Sequence, residues 1–351
     1  MRLVTRSILG ILSAILFLSG CSGSISPRPS VPTAILPEQR VLDAPTPVPT
    51  LTATPERLGS PANPIRIALV SSQQTQTQLD AGIQLAAQLG TRLGLQVEAV
   101  YFQNYPALET ALIKNQVQLA WLQPVEYLLA NQKNLMWVQL ITNHHGVTAY
   151  GVQFLAHQES GFTPFFDPDQ NISTVTAQQA LAQFSGKRPC YSSDKSLAGY
   201  WVPNGLLVQS SVPTQDPVIT HSYSGTIRAL YTRGVCDFGV TYAISSDPRT
   251  SSEVITDLKD VLAVIPILWK SGPIIPNLNL SASPQIDLPT QTAISEFLNS
   301  LVRTQEGRNL LTTYLNYEVS GLLPFQDDGY HDLRSLLSIQ NLRLNDLLPI
   351  P

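Results

Sequence analysis

The chain has 351 residues, 43% of them hydrophobic and 13% charged, and its 21 Lys and Arg against 25 Asp and Glu give a formal net charge of -4. With so few charges and no basic stripe along the chain, nucleic acid is set aside as a partner. Net charge describes the whole surface and not a cleft, so a small polar or anionic ligand stays compatible.

In chain order, Arg2 and Arg6 precede an apolar run over 8–18, and Leu18-Ser19-Gly20-Cys21 follows. Residues 1–21 read as a bacterial secretion signal ending in a segment that resembles the lipobox, at which the signal is cut and Cys21 is lipid-modified. The alternative is an uncleaved membrane anchor, for which the run is short of the roughly 20 residues of a span. Residues 22–64 are rich in Pro, Thr, Ser and Ala without apolar periodicity. They read as an extended, semi-rigid tether that cannot offset its ordering entropy by burial. Either reading places the body outside the cytoplasm, attached to a membrane.

From Ile65 onward roughly 285 residues remain, enough for two domains with cores of their own. The pattern predicts strands over 65–70, 95–102, 118–122 and 135–141, with helices over 76–93 and 105–115 and another begun by Pro124. After a break at 161–171 the alternation resumes. Helices are expected over 176–184, 199–208 and 224–231, and strands over 189–191, 218–223 and 236–242. This is the rhythm of parallel sheets with helices on both faces. Two such sheets imply a cleft, with ligands beyond the carboxyl ends of the strands. Four loops qualify: 71–75, 123–127, 192–199 and 223–226.

With Cys21 assigned to lipid, Cys190 and Cys236 are an even pair at predicted strand ends, either a disulfide or two buried thiols. No metal is expected, because there is no CxxC and a strand would send the neighbours His144 and His145 to opposite faces. No nucleophile elbow, Cys/His pair or Gly-rich phosphate loop is present, so an enzyme is not expected and no cofactor is implied.

Four stretches carry a family resemblance: "FQNYPALETALIKNQVQLAWLQPVEYLLA", "SGTIRALYTRGVCDFGVTY", "LWKSGPIIPNL" and "GLLPFQDDGYHDLRSLL". In this order they resemble the phosphate/phosphonate-binding (PhnD-like) family of substrate-binding lipoproteins of ABC importers. The resemblance implies the two-lobed type II periplasmic-binding-protein fold, an α/β architecture in which each lobe is a mixed, mostly parallel sheet with flanking helices. Residues 65–153 and 264–351 would form lobe 1 and 154–263 lobe 2, with hinging crossings near 150–155 and 262–268. It further implies a monomer that closes on a small-molecule ligand and delivers it to ABC permease and ATPase subunits. A tethered sensor that shows its closed form to a membrane receptor is the alternative.

The resemblance does not fix the ligand, because departures fall in its loops. The family's Ser-Thr-Ser-Gly turn aligns with Ser196-Leu197-Ala198-Gly199, which keeps one hydroxyl of three. Its histidine and aspartate align with Ser224 and Gly225, its strand-end aspartate with Gln118, and a glycine with Gln123. A dianion in a closed cleft needs several charge-assisted hydrogen bonds, each contributing about 1.5–3 kcal/mol. The expected ligand is therefore a solute with a polar or anionic head, phosphonate being one of that set. The candidate ligand residues are Ser71, Ser72, Tyr105, Gln123, Tyr127, Ser193, Lys195, Ser196 and Ser224, with Tyr191, Tyr200, Trp201 and Tyr223 available to stack on a flat ligand. Asp237, Trp121 and Trp269 are read as structural.

Overall fold

The computed structural model describes residues 56–348. The expected signal, Cys21 and most of the tether lie outside the described residues. Among those residues, no helix is long and apolar enough to cross a membrane.

The first half of the fold follows the predicted alternation: β1 (Ile65–Val70), α1 (Gln76–Leu93), β2 (Val97–Phe102), α2 (Tyr105–Ile113), β3 (Leu119–Leu122), α3 (Pro124–Gln132) and β4 (Trp137–Asn143). Side chains outside the helices fix their starts. Thr75 accepts the Gln78 N–H at α1, and Asn104 accepts the Ala107 N–H at α2. Each cap satisfies one of the four N-terminal amides that a helix leaves without a partner. Every residue of β3 is buried, as expected for a strand covered on both faces.

The chain then enters a second sheet through β5 (Ala149–Leu155) and a short ribbon of β6 (Phe166–Asp167) and β7 (Ile172–Ser173). It continues through α4 (Ala177–Leu181), β8 (Pro189–Tyr191), α5 (Val202–Gln209), β9 (Val218–Ile219), α6 (Tyr223–Thr232) and β10 (Phe238–Ala243). Helices α7 (Ser252–Ile255) and α8 (Val261–Val264) lead to β11 (Ile267–Lys270) and β12 (Ile275–Pro276). The return adds β13 (Asn279–Ala282), α9 (Leu288–Leu301), α10 (Gln305–Leu315), β14 (Gly321–Pro324) and α11 (His331–Ser338).

One sheet has the order β14-β4-β13-β3-β1-β2 and the other β11-β5-β10-β8-β9, with β12 also pairing β5. Both are mixed. The strands that alternate with helices pair in parallel, β1 with β2 and β3, and β8 with β9 and β10. The antiparallel pairs come from strands entering or leaving a sheet: β5, β11, β12, β13 and β14.

This topology moves the crossings. Segments 150–155 and 262–268, expected to link the lobes, instead contribute β5 and the start of β11 to the second sheet. The chain passes between sheets at 144–148 and 277–278, and the two passages are bonded to each other. Asn277 Nδ2 donates to the Thr142 and Val147 carbonyls at 3.2 and 2.7 Å, and Thr142 Oγ1 donates to the Leu278 carbonyl at 2.8 Å.

The C-terminal segment joins the lobes a third time. β14 belongs to the first sheet, yet α11 packs on α5 of the second lobe. Gln340 Nε2 donates to the Trp201 carbonyl at 2.9 Å and Asn204 Nδ2 to Gln340 Oε1 at 2.7 Å. A Cβ on Gly205 would stand 2.8 Å from the Leu336 carbonyl, so the close approach of α5 to α11 requires glycine. One buried apolar cluster accordingly runs from Tyr127 and Leu128, through Tyr330, Leu333 and Leu336, to Leu206, Phe184 and Phe238. A second cluster, with Leu85, Trp121, Leu298 and Tyr314, lies on the other face of the first sheet.

Candidate functional site

The parallel strands β3 and β10 end toward the passages between the sheets, and a cavity of about 380 Å³ opens there. From the first lobe it takes Gln123, which follows β3, and from the second Tyr223, which starts α6, and Tyr242 in β10. The start of β5 adds Tyr150, the passages add Asn277, His144 and His145, and the segment after α10 adds Tyr317. Among the described residues, neither Lys nor Arg lines it. A larger groove of about 820 Å³ lies between α3 and the C-terminal segment, lined by Leu128, Leu337 and Leu342, and none of the loops after parallel strands reaches it.

The tyrosines give the cavity its character. Burial raises the phenol of Tyr150 well above its ordinary range and that of Tyr317 to about 12, and it raises Tyr223 against the lowering effect of hydrogen bonds from Ser196 and Ser192. All three are neutral at physiological pH and offer hydroxyl donors. Tyr223 packs edge-on against Tyr242 at 4.8 Å. Ser222 accepts the Gly225 N–H and caps α6, so this amide is occupied and the helix starts at Tyr223, where the apolar pattern suggested strand.

Asn277 is the buried acceptor of the site. Its amide nitrogen is held by two carbonyls, while Oδ1 is buried without a hydrogen-bond partner. An unpaired buried acceptor costs about 1–3 kcal/mol.

The candidate residues divide by place. Gln123 lines the cavity, and its N–H donates to Glu126 Oε2 at 2.8 Å. Ser71 follows β1, whose register of Leu69 with Trp121 sets it beside the Gln123 loop; its hydroxyl donates to the Gln73 carbonyl, and Ser72 is exposed. Ser196 is brought to the site through its hydroxyl, 2.9 Å from the Tyr223 hydroxyl. It also accepts the Gly199 N–H at 2.9 Å, in a π-helical turn over Leu197–Trp201. Gly199 is required there, because a Cβ would collide with Ser192 Oγ. Ser224 sits beside Ser222, their hydroxyls 3.1 Å apart.

Other candidates are engaged elsewhere. Tyr127 is buried and donates to Asp327 Oδ1 at 2.7 Å, its ring 4.3 Å from that of Tyr330. Tyr105 is buried in the core beside Glu109, where burial first and that carboxylate second raise its phenol far above the ordinary range. Lys195 donates to the Asp346 carbonyl at 2.7 Å, and Ser193 accepts the Lys195 N–H. Of the four aromatics proposed for stacking, Tyr223 reaches the cavity; Tyr191 and Tyr200 pack on each other at 4.6 Å, and Trp201 donates to the Asp194 carbonyl. Gln118 accepts the Arg66 N–H and Asp237 the Arg188 N–H, both structural roles. Cys190 and Cys236 are joined in a disulfide. Tyr150, Tyr242, Asn277 and Tyr317 were missed, since their shared signal is a meeting of distant segments rather than a local motif.

The histidine pair departs from expectation. β4 ends at Asn143, and His144 and His145 stand in a tight turn closed by a bridge between His144 and Val147, with His145 at φ 48°. Their rings are tilted together at 4.1 Å instead of facing apart.

A family model described as "ABC transporter, phosphonate, periplasmic substrate-binding protein" matches residues 67–330. No curated protein sequence matches. Among solved structures, XAC2383 from Xanthomonas citri bound to ATP superposes with a TM-score of 0.56 at 14% identity, covering 80% of this chain and 98% of that one. The same protein bound to chloride ion gives 0.55 at 13%, with the same coverage. PhnD1 from Prochlorococcus marinus in complex with methylphosphonate gives 0.49 at 13%, covering 79% and 98%.

Proposed function

The chain belongs to the family of periplasmic substrate-binding proteins of ABC phosphonate transporters, and on that premise we propose that it captures a small solute with a polar or anionic head in the cavity between its two sheets. The observation that carries this reading is the cavity itself: four tyrosines and a buried, partnerless Asn277 acceptor meet where the chain crosses between lobes. Phenol hydroxyls, serine hydroxyls and the Asn277 oxygen suit a solute that both accepts and donates hydrogen bonds. Without Lys or Arg in the lining, a singly charged or protonated head is favoured over a bare dianion, whose desolvation needs charge-assisted partners. Tyrosine faces accommodate a flat or compact apolar body.

Ligand contacts from both sheets would favour a closed arrangement that the permease reads. The secretion signal, lipid on Cys21 and the tether complete the proposal as a membrane-held monomer. Calorimetric titration of methylphosphonate, phosphate, methanesulfonate and benzoate tests the site. One of these is expected to bind at one equivalent, and Ser196→Ala and Tyr223→Phe are each expected to weaken it about tenfold, the effect of losing one hydrogen bond of about 1.4 kcal/mol. Unchanged affinity in both variants would place the solute elsewhere.

A further inference from the structure

We infer that His144, His145 and Glu318 form a binding site for a divalent transition-metal cation at the edge of the solute cavity. One donor atom from each lies within 4.8 Å of the others. His144 Nδ1 and His145 Nδ1 stand 3.2 and 3.7 Å from Glu318 Oε2, so both rings lie against that carboxylate, with Nε2 of His144 left as its ligating atom. Two imidazoles and one carboxylate are a donor set for zinc that leaves a fourth, open position.

Three features prepare these residues. His144 Nδ1 lies 2.8 Å from the Glu318 carbonyl, which can only accept, so Nδ1 carries the proton and Nε2 keeps its lone pair. A histidine that donates one ring N–H to a backbone carbonyl is fixed in tautomer and ring orientation, as metal-ligating histidines commonly are. The His144 ring is also stacked on Tyr317 at 4.2 Å. His145 occupies the left-handed backbone region, which histidine adopts more readily than most residues, and that turn keeps the second imidazole beside the first.

Tetrahedral zinc with bonds of about 2.0–2.1 Å sets its donors roughly 3.4 Å apart. Drawing donors up to 4.8 Å apart in by about 1.4 Å takes side-chain rotation, for which His145 has room with its side chain 54% exposed. Both histidines line a cavity that has neither Lys nor Arg, so a bound cation supplies the positive charge that an anionic head needs there. This role for the cation, though not its binding, rests on the solute-binding reading above.

Titration of zinc chloride into the untagged full chain tests the site without any solute. Wild type is expected to bind one zinc ion. His145→Asn, which tolerates the left-handed turn, and Glu318→Gln, which can still accept the His145 N–H, are each expected to weaken binding by about tenfold or more. No saturable uptake by wild type, or wild-type affinity in both variants, would overturn the site. Methylphosphonate titrated into zinc-loaded and chelator-treated protein tests the cation's role: tighter binding with zinc supports it, and equal binding overturns it. Zinc uptake with no solute bound under either condition would instead count against the solute reading and leave the metal site standing.

Discussion

Glu126 stands in the first turn of α3 with its carboxylate buried, accepting the Gln123 N–H. Burial raises its pKa to about 7, with that hydrogen bond pulling the other way. The sign follows directly. Below about pH 4.5 both states hold the proton; as pH rises, the unfolded chain releases it first, while the native protein keeps it until about pH 7. Stability therefore falls across that window, by on the order of 3 kcal/mol, and is level above it. Glu126→Gln is expected to flatten the fall and to melt higher than wild type at pH 8, measured by calorimetry from pH 5 to 8. A parallel pH profile in the variant would contradict the assignment. Tyr127 gives the complementary test, because its hydroxyl meets Asp327, itself paired with Arg334. Tyr127→Phe is expected to cost about 1–2 kcal/mol in denaturant unfolding and to leave solute affinity unchanged.

Among the elements, β8 and β10 are adjacent parallel strands, and the disulfide ties Cys190 in β8 to Cys236 just before β10. It closes a 46-residue separation that includes α5 and α6, and cross-linking a loop of that size stabilises by about 4 kcal/mol on chain-entropy grounds. Reduction, or replacement of both cysteines by alanine, is expected to lower the melting temperature by about 5–10 °C. Gly205→Ala is expected to cost about 1–3 kcal/mol by forcing α5 away from α11, whereas an unchanged melting temperature would mean the helices can separate freely. The elements were largely legible because β1, α1 and β3 carry apolar periodicity and side-chain caps close in sequence. β9 was not: the stretch 218–223, with Val218, Ile219, Thr220 and Tyr223, suggests strand throughout, yet Ser222 caps α6 and cuts the strand to two residues.

For the whole molecule, three connections join the two lobes. The passages at 144–148 and 277–278 are bonded to each other, and α11 braces both lobes, reaching α3 through Arg334 and Asn131 and α5 through Gln340. The alternating rhythm showed where two sheets would end, and so placed the Gln123 and Tyr223 loops at the cavity. It could not show that His144, Asn277 and Tyr317 would meet there, because they are brought together by antiparallel strands added from distant parts of the chain. The same distance in sequence hides the partner of Tyr127, since Asp327 lies 200 residues away in the C-terminal segment.

Solute capture is tested most directly by the melting temperature of the full chain across a panel of phosphonates, phosphate, phosphite, sulfonates and small aromatic acids. At least one solute is expected to raise it, by an amount equivalent to about 2.7 kcal/mol at a hundredfold excess over its dissociation constant, with the rise reduced in Tyr223→Phe. A melting temperature that no solute in the panel moves would contradict the account.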